Sequence, residues 1–194
     1  MSTTVVVRMH GQACIAADSL TTFGDQKQSS VYDRYSDKLQ TLDDGAISIV
    51  GSAAHAVVIE SVLRERRVRF DLRDRLRIFE SFRRLHTELK DEYFLNPKDD
   101  ENQNDPYESS RIDALVANPH GIFGVYALRE VYEYQRFCAI GSGAEYALGA
   151  MYAAWDAASS AEAVARAGVE AGAEFDTGSG LPLTLRTFEL IRED

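Results

Sequence analysis

The sequence predicts a four-layer αββα sandwich, an α+β fold in which two antiparallel sheets stack face to face and a helix pair covers each outer face. Two observations lead to this class. Strand signals come in adjacent groups, as antiparallel sheets require, and helical stretches come in pairs after each strand group. Two stacked sheets with a helix pair on each side bury every apolar face of these elements. With 194 residues and no internal repeat, we expect one domain over residues 1–194.

The chain begins with a predicted β-hairpin. Residues 3–9 are apolar and β-branched, which favours a buried strand, and residues 13–17 form the returning strand. Gly11 marks the turn because glycine tolerates a positive φ. This hairpin brings Asp18 close to the chain terminus, where Ser2 lies. A hydroxyl, a terminus and a carboxylate are therefore expected to meet at one end of a sheet.

The other elements follow from apolar periodicity and turn residues. Loops are predicted for residues 19–34 and, with a cluster of acids, for residues 95–110. The further predicted strands cover residues 35–42, 46–50, 112–117, 121–127, 131–139 and 183–191. The predicted helices cover residues 53–66, 73–93, 144–158 and 161–171. On the second helix, the residues predicted to face the core are Leu76, Phe79, Phe82, Leu85 and Leu89.

Composition excludes several classes of function. The chain has 21 basic and 31 acidic residues, and its net charge of -10 argues against a nucleic-acid or anionic-membrane surface. It shows neither an apolar run of membrane-spanning length nor a signal-peptide pattern. Cys14 and Cys138 are too few for a disulfide framework or a zinc site, and the four histidines lack ligand spacing. We therefore expect a reducing cytoplasm and no bound metal.

Ser2 becomes chemically useful when Met1 is removed, because it then carries a hydroxyl and an α-amine on one residue. An α-amine titrates near ~7.7–8.0, so a useful share is neutral at physiological pH. A neutral amine can take the hydroxyl proton, directly or through one water, and make the oxygen a nucleophile. Taken alone, the terminus has a simpler interpretation, since most chains that start Met-Ser-Thr have a frayed tail.

Short motifs spread over nearly the whole chain point to one family. They are Ser2-Thr-Thr-Val, Ala16-Ala-Asp18-Ser, Asp37-Lys38, Val50-Gly51, Ile140-Gly-Ser-Gly143 and Asp176-Thr-Gly-Ser179. In this order and spacing, the chain resembles a proteasome-type β subunit, in the superfamily that includes bacterial HslV. Within that superfamily it is most similar to the small bacterial proteasome homologues. The resemblance implies the N-terminal-nucleophile (Ntn) hydrolase fold, a threonine- or serine-type endopeptidase activity and assembly into rings.

The resemblance also implies roles for single residues. Ser2 stands where the family has its nucleophilic threonine, and Asp18 follows sixteen positions later, as in the family. Lys38 corresponds to the lysine beside the nucleophile, where an ammonium held by Asp18 would favour the ionised hydroxyl. Gly51 matches the glycine whose N–H faces the developing oxyanion. Without this context, Asp18 and Lys38 would be an ordinary ion pair at a strand end.

Two further groups are carried over by position. The polar group around the terminal amine consists of Ser142, Asp176 and Ser179. The pocket for the residue before the cleaved bond is bordered by Thr21, Gln40, Ile49 and Ala53, a mainly apolar set of medium size.

The chain departs from the family pattern at three places. Serine replaces threonine as nucleophile, which keeps the hydroxyl and amine but loses the methyl that restricts χ1. Thr3 is a second candidate nucleophile if both Met1 and Ser2 are removed, although this shift by one residue moves the side chain to the other face. The loop between Asp18 and Lys38 and the acidic loop over residues 99–108 are both longer than expected for HslV.

Together these observations predict a ring-forming cytoplasmic peptidase subunit that cleaves peptides or unfolded proteins without a metal or organic cofactor. Copies would form a ring or stacked rings, and an unfoldase partner could supply substrate. Two alternatives stay open. One is an amidase or acylase acting on small amides with the same N-terminal serine. The other is a ring scaffold that keeps the fold and has lost activity.

Overall fold

The computed structural model describes residues 2–51, 53–96, 107–127 and 130–191. The strands are β1 (Thr4–Met9), β2 (Gln12–Asp18), β3 (Thr21–Phe23), β4 (Gln26–Gln28), β5 (Leu39–Thr41), β6 (Ala46–Val50), β7 (Asp113–Asn118), β8 (Gly121–Tyr126), β9 (Glu130–Tyr134), β10 (Phe137–Ile140) and β11 (Leu183–Glu189). The helices are α1 (Ala53–Arg64), α2 (Arg75–Asp91), α3 (Ala144–Ala154) and α4 (Ala161–Phe175).

Two antiparallel sheets form the centre of the fold. The four-stranded sheet has the order β10-β1-β2-β11, and the five-stranded sheet has the order β5-β6-β7-β8-β9. Strands β3 and β4 form a small separate hairpin in the loop that follows β2. Neighbouring strands in all three are antiparallel, as the grouping of strand signals along the sequence predicts.

The N-terminal hairpin is formed by β1 and β2, with its turn at His10 and Gly11. Both turn residues have a positive φ, 50° and 77° respectively, a conformation that glycine adopts without steric cost. At the other end of the hairpin, the N–H of Asp18 donates to the carbonyl oxygen of Thr3 at 3.1 Å. The predicted meeting of Asp18 with the first residues of the chain is therefore present in the structure.

Three apolar layers hold the elements together. The layer between the sheets includes Val6, Ile15, Ala17, Leu115 and Ile122. The layer between the four-stranded sheet and helices α3 and α4 includes Val5, Cys14, Met151, Val164 and Val169. The layer between the five-stranded sheet and helices α1 and α2 includes Ile47, Ile59, Phe82, Leu85 and Val116. The order helix pair, sheet, sheet, helix pair confirms the predicted αββα sandwich.

The prediction of one strand over residues 131–139 is wrong. The segment forms two strands, β9 at the edge of the five-stranded sheet and β10 at the edge of the four-stranded sheet. The chain crosses between the sheets at Gln135 and Arg136, and the carbonyl of Arg136 accepts the N–H of Arg8 at 2.6 Å. The crossing contains no glycine or proline, so the local sequence carries no signal for it.

The predicted core face of α2 is wrong at Leu76. This side chain is 73% exposed, whereas Ile78 is fully buried. The buried apolar residues of α2 are Ile78, Phe82, Leu85 and Leu89. Successive residues of an α-helix are rotated by about 100° around the helix axis. Leu76 therefore lies about 200° from Ile78 around the axis and faces away from the sheet. Phe79 packs partly buried at the border of the same apolar layer.

Other elements differ from prediction in their bounds. The strand predicted over residues 35–42 is limited to Leu39–Thr41, while α4 continues to Phe175. Much of the acidic loop, residues 97–106, lies outside the described residues, but Glu108 is described and pairs with Lys90 at 2.6 Å. Over the part of the chain that the structure describes, no helix is long and apolar enough to cross a membrane.

Candidate active site

Asp18 is the centre of the candidate site. It ends β2, its side chain is fully buried, and its two carboxylate oxygens accept four hydrogen bonds. The donors are the backbone N–H groups of Thr3 at 2.9 Å, Leu20 at 3.0 Å and Gly180 at 3.0 Å, and the Lys38 ammonium at 2.8 Å. A buried carboxylate requires such donors, since its desolvation is otherwise costly. The four donors hold the Asp18 carboxylate in a defined orientation.

Lys38 joins Asp18 to Ser2. Its Nζ atom donates to Asp18 Oδ1 at 2.8 Å and to Ser2 Oγ at 3.0 Å. The Lys38 side chain is 17% exposed. Burial lowers the pKa of Lys38 below its ordinary value of 10.5, and the charge of Asp18 opposes this change without cancelling it. The ammonium is thus held beside a hydroxyl oxygen and gives up its proton more readily than a lysine in water.

The backbone of Ser2 is held by the turn between β10 and α3. The Ser2 carbonyl accepts the N–H of Gly143 at 3.3 Å. Gly141 has φ +97°, and a Cβ atom at this position would overlap the Ser2 carbonyl oxygen. Glycine is therefore required at Gly141 both for its backbone conformation and for the close approach of Ser2. At the second glycine of the motif, Gly143, a Cβ atom would instead overlap the Thr3 hydroxyl.

The three residues predicted to surround the terminal amine also meet. Asp176 Oδ2 accepts hydrogen bonds from Ser142 Oγ and Ser179 Oγ, both at 2.6 Å. Burial raises the pKa of Asp176, but the hydrogen bonds from Ser142 and Ser179 outweigh it and hold that pKa below its usual range. Because Ser179 donates to Asp176, its oxygen accepts the hydroxyl proton of Thr3, whose Oγ1 lies 2.7 Å away. This second cluster thus reaches the chain start through Thr3.

A groove of about 830 Å³ opens in front of Ser2. The predicted residues along its wall are Ser2, Thr21, Lys38, Gln40, Ile49 and Gly51. Ala53, the fourth predicted pocket residue, begins α1, but its side chain lies outside the described set. Gln40 is fixed by a hydrogen bond from its Nε2 to the Ala56 carbonyl at 3.0 Å. Gly51 has φ +134°, a region that side-chain-bearing residues rarely adopt.

Sequence reasoning missed several groove residues. They are Phe23, Tyr35, Val57, Glu60 and Arg64. Phe23 and Tyr35 belong to the long segment between Asp18 and Lys38, which offers no periodicity from which to place them. The residues on α1 follow from helical spacing once Gly51 is placed at the groove. The groove wall therefore also carries aromatic and charged groups.

A second groove, of about 940 Å³, lies at the opposite end of the sandwich. It is lined by the hairpin turn at His10 and Gly11 and by Trp155, and it contains none of the predicted site residues. Over the described ranges, no cluster of three or more histidine, cysteine, aspartate or glutamate residues could hold a metal ion. The chemistry-bearing residues predicted from sequence are therefore gathered at one end of the fold.

Comparison with solved structures identifies the family. The chain is 43% identical to Thiobacillus denitrificans BPH, a bacterial proteasome homologue, in complex with epoxomicin, over 98% of this chain and 100% of that one, with a TM-score of 0.89. A second structure of the same protein gives 44% identity, the same coverage and a TM-score of 0.90. Eukaryotic HslV from Trypanosoma brucei shares the fold, with 20% identity, coverage of 96% and 99% and a TM-score of 0.65. No protein-family model and no curated protein sequence matches the chain.

The four-layer sandwich is the fold of the Ntn hydrolases, and in this chain its first residues meet a buried Asp–Lys pair. The chain belongs to the proteasome-type β-subunit family, with solved relatives among the bacterial proteasome homologues. The family predicted from the motifs is therefore confirmed, and so is the fold that the resemblance implies.

Proposed function

We propose that this chain is a peptidase subunit whose nucleophile is Ser2 Oγ, exposed by removal of Met1. The observation that carries the proposal is the contact between Lys38 Nζ and Ser2 Oγ at 3.0 Å. The same ammonium is bound to the buried Asp18, and Ser2 lies in the wall of a groove large enough for a peptide. Met1 lies outside the described residues, so the amine of processed Ser2 is part of the proposal.

The proposed reaction forms and breaks one ester. The neutral amine of Ser2 takes the hydroxyl proton, directly or through a water, as Oγ bonds to the substrate carbonyl carbon. The tetrahedral intermediate then loses its C–N bond, and the leaving amine takes the proton from the Ser2 ammonium. Water attacks the resulting ester, the Ser2 amine accepts the proton of that water, and Oγ regains a proton when the ester bond breaks.

The surrounding residues stabilise charge in this scheme. Lys38 donates to the developing alkoxide of Ser2, and Asp18 keeps the lysine charged and in place. The N–H of Gly51 is proposed to donate to the oxyanion, because Gly51 lies in the same groove and carries no side chain to block a substrate. Asp176, with its two serine donors, supplies a negative charge beside the chain start that stabilises the Ser2 ammonium formed when the amine takes the hydroxyl proton.

Ser2 is favoured over Thr3 as the nucleophile. Thr3 is fully buried, and its hydroxyl is engaged with Ser179 at 2.7 Å. Its backbone N–H is already donated to Asp18 at 2.9 Å. Ser2, in contrast, lines the groove. Using Thr3 would require the chain to shift by one residue, which exchanges the faces of the strand.

We also propose that copies of the chain assemble into rings. Helices α3 and α4 carry three large aromatic side chains that are substantially exposed: Tyr146 is 47% exposed, Tyr152 75% and Phe175 66%. The rings of Tyr146 and Phe175 pack against each other, with 5.7 Å between their centroids. An exposed aromatic patch of this kind favours a protein–protein contact. Mass photometry of the native protein measures the assembly, and Tyr152→Arg should reduce it if this surface joins copies.

Treatment with a peptide epoxyketone, followed by intact and peptide-mapped mass measurement, tests the nucleophile. This class of reagent closes a ring with the hydroxyl and the amine of one terminal residue, so an adduct requires both on the same residue. The T. denitrificans relative has been solved in complex with epoxomicin, which makes the reagent class suitable. We expect an adduct on Ser2, its loss in Ser2→Ala and its retention in Thr3→Val.

Other results would change the proposal in defined ways. An adduct on Thr3 would keep the enzyme class and move the nucleophile. A protein that retains Met1 and forms no adduct would overturn the mechanism and favour the inactive scaffold. Hydrolysis of small amides but not of peptides, in a matched substrate panel, would favour the amidase alternative.

A further inference from the structure

The carboxylate of Asp37, the residue before Lys38, binds three groups from two parts of the chain. Its Oδ1 accepts the backbone N–H of Leu39 at 2.9 Å and the Thr184 hydroxyl at 2.8 Å. Its Oδ2 accepts Arg186 Nη2 at 2.8 Å. We call Asp37, Leu39, Thr184 and Arg186 the Asp37 clamp. Nothing in the catalytic scheme above uses these four residues.

The clamp joins the two sheets at the groove. Thr184 and Arg186 lie two residues apart on β11, so they point to the same face of the four-stranded sheet. Their partners across the strand pair, Ala17 and Ile15, belong to the apolar layer between the sheets, so this face is turned towards the five-stranded sheet. Leu39 begins β5 of that second sheet. Asp37 thus ties the start of β5 to the edge strand beside β2.

The edge strand β11 also pairs with β2 at the position of the catalytic Asp18. Leu183 of β11 lies opposite Asp18 of β2, one residue before Thr184. The segment around Asp37 and Lys38 therefore has two anchors to the four-stranded sheet. Lys38 binds Asp18 in the buried interior, and Asp37 binds β11 near the surface.

Lys38 needs a second anchor because its own side chain is flexible. Four rotatable bonds separate Nζ from the backbone, and Nζ must reach Asp18 and Ser2 at the same time. The backbone before Lys38 belongs to no strand, since β5 begins at Leu39. The Leu39 N–H also goes to the Asp37 side chain, a local turn that fixes the direction of the chain at Lys38.

We propose that Asp37 is a positioning residue for the peptidase site, which holds the Lys38 ammonium against Ser2 by fastening the start of β5 to Thr184 and Arg186. This inference rests on the proposed function for its catalytic consequence. The Asp37 and Arg186 side chains are 38% and 40% exposed, so their ion pair contributes little to folding stability. Loss of the clamp should therefore affect reactivity far more than thermal stability.

The test uses Asp37→Asn and Arg186→Gln, with Arg166→Gln as the matched control. Arg166 forms an equally exposed ion pair with Glu162 on α4, so its loss removes a similar contact far from the groove. We expect the rate of epoxyketone adduct formation and kcat to fall about ten- to a hundredfold in both clamp variants, as for a misplaced catalytic group. In the clamp variants KM and the melting temperature should change little. In the control Arg166→Gln the reaction rate should also stay close to that of the wild type.

Two further variants identify the cause. Arg186→Lys keeps a cation and should retain most of the activity. The double variant Asp37→Asn with Arg186→Gln should be no slower than Asp37→Asn alone, because both substitutions break one connection. If the rate losses of the two single variants multiply in the double variant, Asp37 and Arg186 act independently, and the proposal that they form one clamp is overturned.

A second readout does not depend on activity. The chain has four lysines, and the rate at which each is acetylated by an activated ester can be followed by peptide mass mapping. Lys38 should react faster in the clamp variants than in the wild type, with Lys27 as an exposed reference. Unchanged Lys38 acetylation would overturn the proposal whatever happens to activity. Faster acetylation in a protein whose wild type forms no adduct would support the clamp and reject the peptidase mechanism.

Discussion

Replacement of Lys38 by methionine tests the centre of the site. Methionine keeps much of the length and apolar volume of the lysine stem and removes the ammonium. Asp18, which is fully buried, then loses one of its four donors and keeps three backbone N–H groups. The loss of one partner from a buried acceptor costs about 2 kcal/mol. For a domain of this size that corresponds to a fall in melting temperature of about 4–8 °C.

The effect on reaction rate should be larger. The substitution removes the donor to Ser2 Oγ, and one preorganised donor contributes about 10²–10³-fold to kcat. The assays are single-turnover adduct formation with a peptide epoxyketone and a thermal melt of the same sample. Lys90→Met is the control, since Lys90 is an exposed lysine paired with Glu108 and its loss should cost about 1 kcal/mol or less.

A double variant tests whether the charge of Asp18 matters without its lysine partner. Asp18→Asn together with Lys38→Met removes the unpaired buried charge, but the new amide NH2 faces at least one backbone N–H donor, so the variant should regain little of the lost stability. It should not regain activity, because no cation then faces Ser2. Wild-type activity in Lys38→Met, or recovery of activity in the double variant, would refute the assigned role of Lys38.

Three further outcomes are expected. Gly141→Ala should abolish adduct formation because its methyl overlaps the Ser2 carbonyl, whereas Gly149→Ala, with open space around its Cβ position, should react normally; both are followed by mass spectrometry. Phe82→Ala should lower the unfolding free energy in urea by about 3–5 kcal/mol, while exposed Leu76→Ala should lower it by less than about 0.5 kcal/mol. The pH profile of kcat/KM should rise as the Ser2 amine loses its proton near ~7.7–8.0. At higher pH the profile should fall again as Lys38 loses its charge, and this fall should begin before pH 10.5 because burial lowers the pKa of Lys38. Lys38→Arg should remove the alkaline fall. An intact alkaline limb in Lys38→Arg would contradict the assignment.

Local patterns in the sequence were sufficient for the hairpin and for most helices. The strand from Thr4 and the turn at Gly11 place Asp18 beside Thr3 without further information, since an antiparallel pair fixes which residues face each other. Lys38 could not be placed in this way. It stands twenty residues from Asp18, in a segment with no periodicity, and only the family resemblance predicted that the two would meet.

Contacts between distant parts of the chain could not be derived from local sequence patterns. The hydrogen bond of Thr3 to Ser179 spans 176 residues, and that of Asp37 to Arg186 spans 149. The crossing at Gln135 between the two sheets also depends on which sheet has a free edge, a property of the assembled fold. Leu76 was misplaced for a related reason, since apolar spacing defines a helical stripe but not which of two overlapping stripes meets the sheet.

The four donors to Asp18 have a consequence for the timing of synthesis. Three of them, from Thr3, Leu20 and Lys38, are synthesised close together, whereas Gly180 is synthesised long after Lys38. The turn at Gly141 that holds Ser2 also lies far downstream of Lys38. A nascent chain therefore carries Ser2 and Asp18 before it contains the groups that hold them in place. The order of translation delays assembly of the candidate site until Gly180 has been made.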